Sequence, residues 1–251
     1  MLTIGSLFSG IGGLELGLER AGLGPVKWQV EIEPYCRAVL AKHWPSARRY
    51  EDVRSVGPEL GPVDLICGGF PCQDISLSGP MCGISGSRSG LWSEFARIVG
   101  ELRPRFVVVE NVAELARSGL DVVLADLAGH GYDAVWFPLA ASDVGAPHER
   151  ERLFVVAYSD QVGRTRPVEG GVVRGAVSGI RHAGTNPASV AGLGRDPENP
   201  WGPEPTVGRV AYGVPNGMDR IEALGNAVVP QVAEVVGWVV RGIHERLTQC
   251  C

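Results

Sequence analysis

The sequence predicts an open α/β fold carrying a loop-rich insert, and three observations support this. Up to residue 158, short apolar runs alternate with amphipathic stretches, the pattern of a parallel sheet flanked by helices. Runs such as Phe106-Val107-Val108-Val109 and Leu153-Phe154-Val155-Val156-Ala157 are apolar without alternation, as strands covered on both faces are. From Ser159 to about Asn216 that order dissolves, and glycine and proline recur every few residues.

Taken in order, strands are expected at 3–8, 26–31, 63–67, 105–110, 134–139 and 153–158. Helices are expected at 13–22, 34–43, 91–102 and 119–129. The first strand runs into the glycine turn Ser9-Gly10-Ile11-Gly12-Gly13, and a helix follows from about Leu14. The second strand closes on Glu31, with Pro34 opening the next helix. Val63-Asp64-Leu65-Ile66-Cys67 forms a third apolar run, and Phe106–Val109 a fourth. After the insert, residues 228–247 place Val228, Val232, Val235, Val236, Val239, Val240 and Ile243 on one helical face. Such a face needs a core, and the sheet is the candidate, so the chain leaves its first domain and returns to it.

At 251 residues the chain can bury a full α/β core with room for a small insert. Apolar residues make up 45% and charged residues 20%, ordinary for a globular protein. No apolar run approaches the ~20 residues that span a bilayer. The start, Met1-Leu2-Thr3-Ile4-Gly5, has no basic n-region and reads as a strand, so a cytoplasmic protein with no membrane partner is expected. Cysteines stand at 36, 67, 72, 82, 250 and 251 without a C-x-x-C pair, which argues against a zinc site and for a reduced protein with one functional thiol. No metal is expected.

The net charge of −5 argues against a strongly basic nucleic-acid binder, but phosphate contacts need only a local basic surface. Residues 161–215 hold six arginines against Glu169, Asp196, Glu198 and Glu204, and 21 of the 23 basic residues in the chain are arginine. Arginine suits bidentate contacts to phosphate and guanine edges, and G·C-rich codons explain the bias equally well.

Candidate chemistry lies beside three apolar runs. Gly68-Gly69-Phe70-Pro71-Cys72-Gln73 follows the third strand, and an open sheet presents reactive groups at such carboxyl ends. Alone, Cys72 reads equally as a small buried residue. Glu110-Asn111-Val112 follows the fourth strand, where an acid is otherwise often a helix cap. His148-Glu149-Arg150-Glu151-Arg152 precedes the last; alternation puts Arg150 and Arg152 on one side, for gripping an oxygen and a phosphate or as exposed edge arginines. The glycine turn suits a ligand at a helix amino terminus. It is not the dinucleotide fingerprint, because Glu15 stands where a third glycine is needed after Gly10 and Gly12. Glu31, about 20 residues on, suits ribose hydroxyls, or is a surface carboxylate. Residues 77–92 are rich in glycine and serine, the composition of a lid or of a plain surface loop.

With Phe8-Ser9-Gly10-Ile11-Gly12-Gly13, these motifs resemble the DNA cytosine carbon-5 methyltransferase family of bacterial or phage type, over essentially all of 1–158 and 216–251. The resemblance implies a Rossmann-like sheet that binds S-adenosylmethionine. Its implied domains are a catalytic and cofactor domain (1–158), a small loop-rich target-recognition insert (159–215) and a returning carboxyl-terminal segment (216–251). It implies that Phe8 stacks on adenosine and that Ser9, Gly10, Ile11, Gly12 and Gly13 cradle the methionine moiety. Glu31 would hold the ribose, Ile32 would lie against adenine, and Asp52 and Val53 would lie near the adenine amino group. Gly69, Pro71, Asn226 and Ala227 would complete the cofactor side.

The same resemblance makes Cys72 the nucleophile that adds to carbon 6 of a cytosine flipped out of double-stranded DNA. Glu110 would hold a proton at ring nitrogen 3, Asn111 would position the loop, and Arg150 and Arg152 would grip the base and a phosphate. Gln73, Ser76, Ser85, Ser87 and Arg88 would touch the substrate. His148 departs from the family pattern, which has glutamine there. A monomer is expected, with a cognate restriction endonuclease acting separately. A transfer-RNA cytosine methyltransferase and a silent DNA-binding protein of the same fold are the alternatives; the intact Cys72, Glu110 and Arg152 speak against the second.

Overall fold

Seven strands build one sheet in a computed structural model that describes residues 1–71, 90–159 and 223–249. In chain order they are β1 (Ile4–Leu7), β2 (Val26–Val30), β3 (Arg48–Tyr50), β4 (Leu65–Gly68), β5 (Phe106–Val112), β6 (Tyr132–Leu139) and β7 (Arg152–Ser159). The spatial order is β3-β2-β1-β4-β5-β7-β6. Pairings among β1 to β5 are parallel, whereas β7 runs antiparallel to both β5 and β6. This is a Rossmann-like arrangement in which the strand order reverses between β1 and β4.

The helices are α1 (Gly13–Arg20), α2 (Pro34–His43), α3 (Gly90–Leu102), α4 (Leu120–Gly129) and α5 (Pro230–Gln249). Consecutive residues of β5 divide between two cores, as the period of two in a strand requires. Phe106 and Val108 join Leu14 and Leu18 of α1 and the valines of α5 on one face. Val107 and Val109 join Phe95, Ile98 and Val99 of α3 and Val123 and Leu127 of α4 on the other. The result is a helix–sheet–helix sandwich, and it explains why the central strands carry no polar face.

The expected parallel sheet holds for β1 to β5, and β7 departs from it. A parallel return needs a crossover of a dozen or more residues, usually helical. Only a short 3₁₀ turn at Ala141–Val144 lies between β6 and β7, so the chain doubles back. The α4 crossover carries β6 past one vacant position, and β7 fills it. The short strand β3 escapes a sequence reading because Arg-Arg-Tyr at a sheet edge has no apolar pattern. The last helix starts at Pro230, whose ring suits a first turn, and Val228 therefore precedes the helix instead of lying on its face.

Packing of α5 on α1 is close. A Cβ on Gly17 would run into Ala233 and Pro230, one on Gly13 into the Val228 carbonyl, and one on Gly237 into Ala21. Small residues on both helices let the backbones approach, and Val232, Val235, Val236, Val239, Val240 and Ile243 are buried there. Within Ala223–Thr248 an 18-residue stretch reaches a mean hydropathy of 1.4, so this segment is long and apolar enough to cross a membrane by length and composition, contrary to the expectation of no such run. Within this fold the apolar face of α5 belongs to the core shared with α1 and the sheet.

Candidate active site

A cleft opens at the carboxyl ends of β1, β4 and β5, where the strand order reverses. Open α/β sheets bind ligands at such switch points. Its walls come from the turn after β1 (Phe8 to Gly13), from Gly68 and Gly69 after β4, from Glu110 on β5 and from Asn226 to Val228.

The turn after β1 is held in an unusual backbone shape. Phe8 and Gly10 both have φ of +54°, and Gly12, the residue before α1, has φ of +87°. Left-handed geometry favours glycine, and Phe8 is an exception at the cleft itself. Glu31 locks the turn. Its carboxylate accepts the Gly10 N–H at 2.7 Å and the Glu33 N–H at 2.9 Å, and the residue is only 8% exposed. It is thus no surface carboxylate. Two of the roughly four acceptor positions of a carboxylate are occupied this way, leaving two for a ligand. Beside it Ile32 is 59% exposed, an apolar side chain at the rim. Asp52 caps the next turn by accepting the Arg54 N–H at 2.9 Å, and Val53 is buried.

These residues fit an S-adenosylmethionine-like ligand. No atom lies within 4 Å of where a Cβ on Gly10 would stand, so that backbone faces open space. Gly12 and Gly13 differ. A Cβ there would meet Trp44 and the Val228 carbonyl, so these two glycines serve helix packing beneath the turn.

Glu110 and its neighbours form the second half of the site. Glu110 lies inside β5, paired across the ladder with Phe154, so it is a strand residue and not a helix cap. A Cβ on Gly69 would stand 2.5 Å from Glu110 Oε2, and glycine at 69 is what lets the carboxyl approach the β4 loop. Arg152 Nε stands 3.1 Å from Glu110 Oε1. Burial pushes the Glu110 carboxyl above the usual carboxylate range, opposed by Arg152 and then Arg150. Desolvation likewise lowers the affinity of Arg150 for its proton, with the like charge of Arg152 adding to it. Asn111 donates to the Phe70 carbonyl at 3.1 Å and accepts the Val112 N–H at 2.9 Å, tying β5 to the loop that leads through Pro71 toward position 72.

Both arginines act on Glu110, though not through strand alternation. Arg150 precedes β7 with φ of +35°, and its Nη2 donates to the Ala227 carbonyl at 2.8 Å. The guanidinium therefore joins the entry to β7 to the returning segment, which brings Asn226 and Ala227 to the cleft.

A family model described as C-5 cytosine-specific DNA methylase matches residues 2–170. The chain belongs to that family. It is 36% identical over 167 residues to the Type II methyltransferase M2.BsuMI of Bacillus subtilis (strain 168), covering 62% of this chain and 42% of that protein. It is 33% identical over 161 residues to the Type II methyltransferase M.HhaI of Haemophilus parahaemolyticus, covering 62% of this chain and 49% of that one. The matched part thus spans about half the length of these relatives. The fold is shared with the Dnmt2 methyltransferase of S. pombe, at a TM-score of 0.64 and 16% identity, over 98% of this chain and 99% of that one.

In this methylase family member, Phe8, Ser9, Gly10, Ile11, Gly13, Gly69, Glu110, Asn226 and Ala227 come together around one cleft. Gly12, Asp52 and Val53 lie behind or beside its walls. Cys72, Gln73, Ser76, Ser85, Ser87 and Arg88 fall outside the described residues, as does 160–222. Sequence reasoning missed Glu15, used there only to reject a dinucleotide fingerprint. It is fully buried next to the cleft, and a charged residue on the face shared by Leu14 and Leu18 was the available signal. It also missed the packing reason for Gly69, which only the Glu110 side chain reveals. Among the described residues, no group of three His, Cys, Asp or Glu gathers as a metal site.

Proposed function

We propose that this methylase transfers a methyl group from S-adenosylmethionine to carbon 5 of a cytosine flipped out of double-stranded DNA, with Cys72 as covalent nucleophile. The observation that carries this reading is Glu110: a buried carboxyl with raised proton affinity, packed against Gly69 beside the cleft, while Asn111 grips the loop that leads to position 72. Bound in the cleft, S-adenosylmethionine supplies an electrophilic methyl group.

The chain's own residues make carbon 5 able to accept it. The Cys72 thiolate adds to carbon 6, which breaks the ring conjugation and makes carbon 5 electron-rich. Glu110 holds a proton at ring nitrogen 3, where negative charge would otherwise build during that addition. Arg152 orients Glu110, and Arg150 ties the returning segment to the site. After transfer the carbon-5 proton passes to a base on that face, water in this reading, and Cys72 leaves as the carbon 5–carbon 6 double bond reforms. A thiolate nucleophile suits a reducing compartment, so the cytoplasm is the proposed setting. Residues 159–215, with their six arginines, are proposed to read the target, the enzyme acting as a monomer and any partner endonuclease separately.

Bisulfite sequencing of DNA and of transfer RNA from a host expressing the chain tests this. Protection of cytosines in one DNA sequence context is expected. Protection confined to transfer RNA would replace the substrate, and protection of neither would overturn the reading.

A further inference from the structure

Beneath the cleft the structure holds a polar cluster that the reaction above does not use. Glu15 lies in the first turn of α1, directly after the glycine turn, and has no solvent exposure. Gln29 of β2 donates to its Oε1 at a long 3.4 Å, and Glu15 Oε2 has no hydrogen-bond partner. The Gln29 carbonyl oxygen is equally unpartnered, and Gln29 is also fully buried. Against burial, the Glu15 backbone N–H and then the Ser6, Gln29 and Ser9 side chains favour the charged carboxylate, and Ser9 Oγ is 2.9 Å from Ser6 Oγ. Ser6, Ser9 and Glu15 all lie along the cleft.

Among the described residues no cation is set against this carboxyl. From β4 the Cys67 thiol faces it, itself pushed well up by burial and by Glu15, so it stays neutral. From β5 the cleft receives Glu110, another acid, and the returning segment brings the uncharged Asn226 and Ala227. An unpaired buried carboxyl is costly to ionise, and burial accordingly raises its proton affinity. Among the described residues, then, the charge that would balance Glu15 is absent from the protein. Glu15 lines the cleft, so a ligand bound there can approach it.

We propose that Glu15 is a charge sensor under the cofactor cleft, protonated while the cleft lacks a cation and ionised when a sulfonium ligand enters. This rests on the cofactor reading above. Proton balance is simple: binding of S-adenosylmethionine expels one proton to solvent, and its replacement by the demethylated product, whose sulfur is uncharged, draws one back. In a water-excluded site the attraction between sulfonium and carboxylate is weakly screened. The pocket therefore discriminates methyl donor from spent product increasingly as pH rises. Glu15 is a positioning residue in this account and touches no reacting atom.

Titration calorimetry on the full chain, in buffers of different ionisation enthalpy, tests the proposal. The two ligands share the same amino and carboxyl groups, so comparing them isolates the sulfur. S-adenosylmethionine is expected to release more protons than S-adenosylhomocysteine. The ratio of their dissociation constants should favour the donor up to about tenfold more per pH unit while Glu15 still titrates. In Glu15→Gln the ratio of the two dissociation constants should be independent of pH. Equal proton release by both ligands in the wild type overturns the inference without any variant, and so does an unchanged pH slope in Glu15→Gln. Binding of neither ligand at any pH defeats the cofactor reading itself and the inference with it.

Discussion

Replacing Gly17 by alanine separates two opposing effects. Alanine is the better helix former, and an exposed Gly→Ala change in a helix gains about 1 kcal/mol. Here the added methyl points at α5. It would stand 2.6 Å from the Glu234 nitrogen, 0.8 Å inside the 3.4 Å at which ordinary contact begins, and closer still to Ala233 and Pro230. Two of these three neighbours are backbone atoms, so no flexible side chain can swing away. The last helix must retreat by about an ångström, loosening the valine contacts that bury it. Overpacking of this kind costs about 1–3 kcal/mol, enough to outweigh the helix gain. In a protein of this size each kcal/mol lowers the melting temperature by about 2–4 °C. Because Asn226 and Ala227 lie just before α5, ligand affinity should fall as well. Thermal unfolding and calorimetry with S-adenosylhomocysteine check both effects. A melting temperature raised by the substitution would show that helix propensity wins and that the α1–α5 contact is slack.

Three further outcomes are expected. Cys72→Ala should abolish methylation while cofactor affinity stays near normal, and retained turnover in a purified sample would remove Cys72 from the nucleophile's role. Glu110→Gln should slow single-turnover chemistry by ~10²–10⁴-fold. Since the working form of Glu110 is the protonated one and its pKa is raised, wild-type rate should fall as pH climbs through that raised value, and the variant should lose this limb. Glu15→Gln should alter ligand-free stability with a definite sign. The folded-state pKa of Glu15 lies above its unfolded value, so its contribution is whole below the unfolded pKa and lost as pH rises through the folded one. Urea unfolding at several pH values should show the variant gaining on the wild type toward alkaline pH; parallel curves would contradict the buried-acid account.

The sheet was readable because its central strands are buried on both faces and carry uninterrupted apolar runs, as Phe106–Val109 and Leu153–Ala157 show. Strand direction was not readable there, since a buried strand looks alike either way; the short link from β6 to β7 held that information. Arg48-Arg49-Tyr50 stayed invisible because an edge strand needs no apolar face. At the site, motif order brought Glu31, Glu110 and Asn226 to attention. What they bond required coordinates, since Glu31 spends half its acceptor capacity on the turn and Arg150 reaches a carbonyl 77 residues away along the chain. Glu15 escaped because its partners come from three different strands and loops that only the fold brings together.

Among the described residues, Asn226, Ala227 and Val228 form one wall of a pocket whose other walls come from residues up to Glu110. A nascent polypeptide that has left the ribosome only through β7 owns all seven strands of the sheet yet lacks that wall. Closure of the pocket therefore waits until residues 226–228 have been translated and have docked. A chain stopping before residue 223 would lack this wall, and a peptide spanning 223–249 supplied in trans should dock along Gly13 and Gly17.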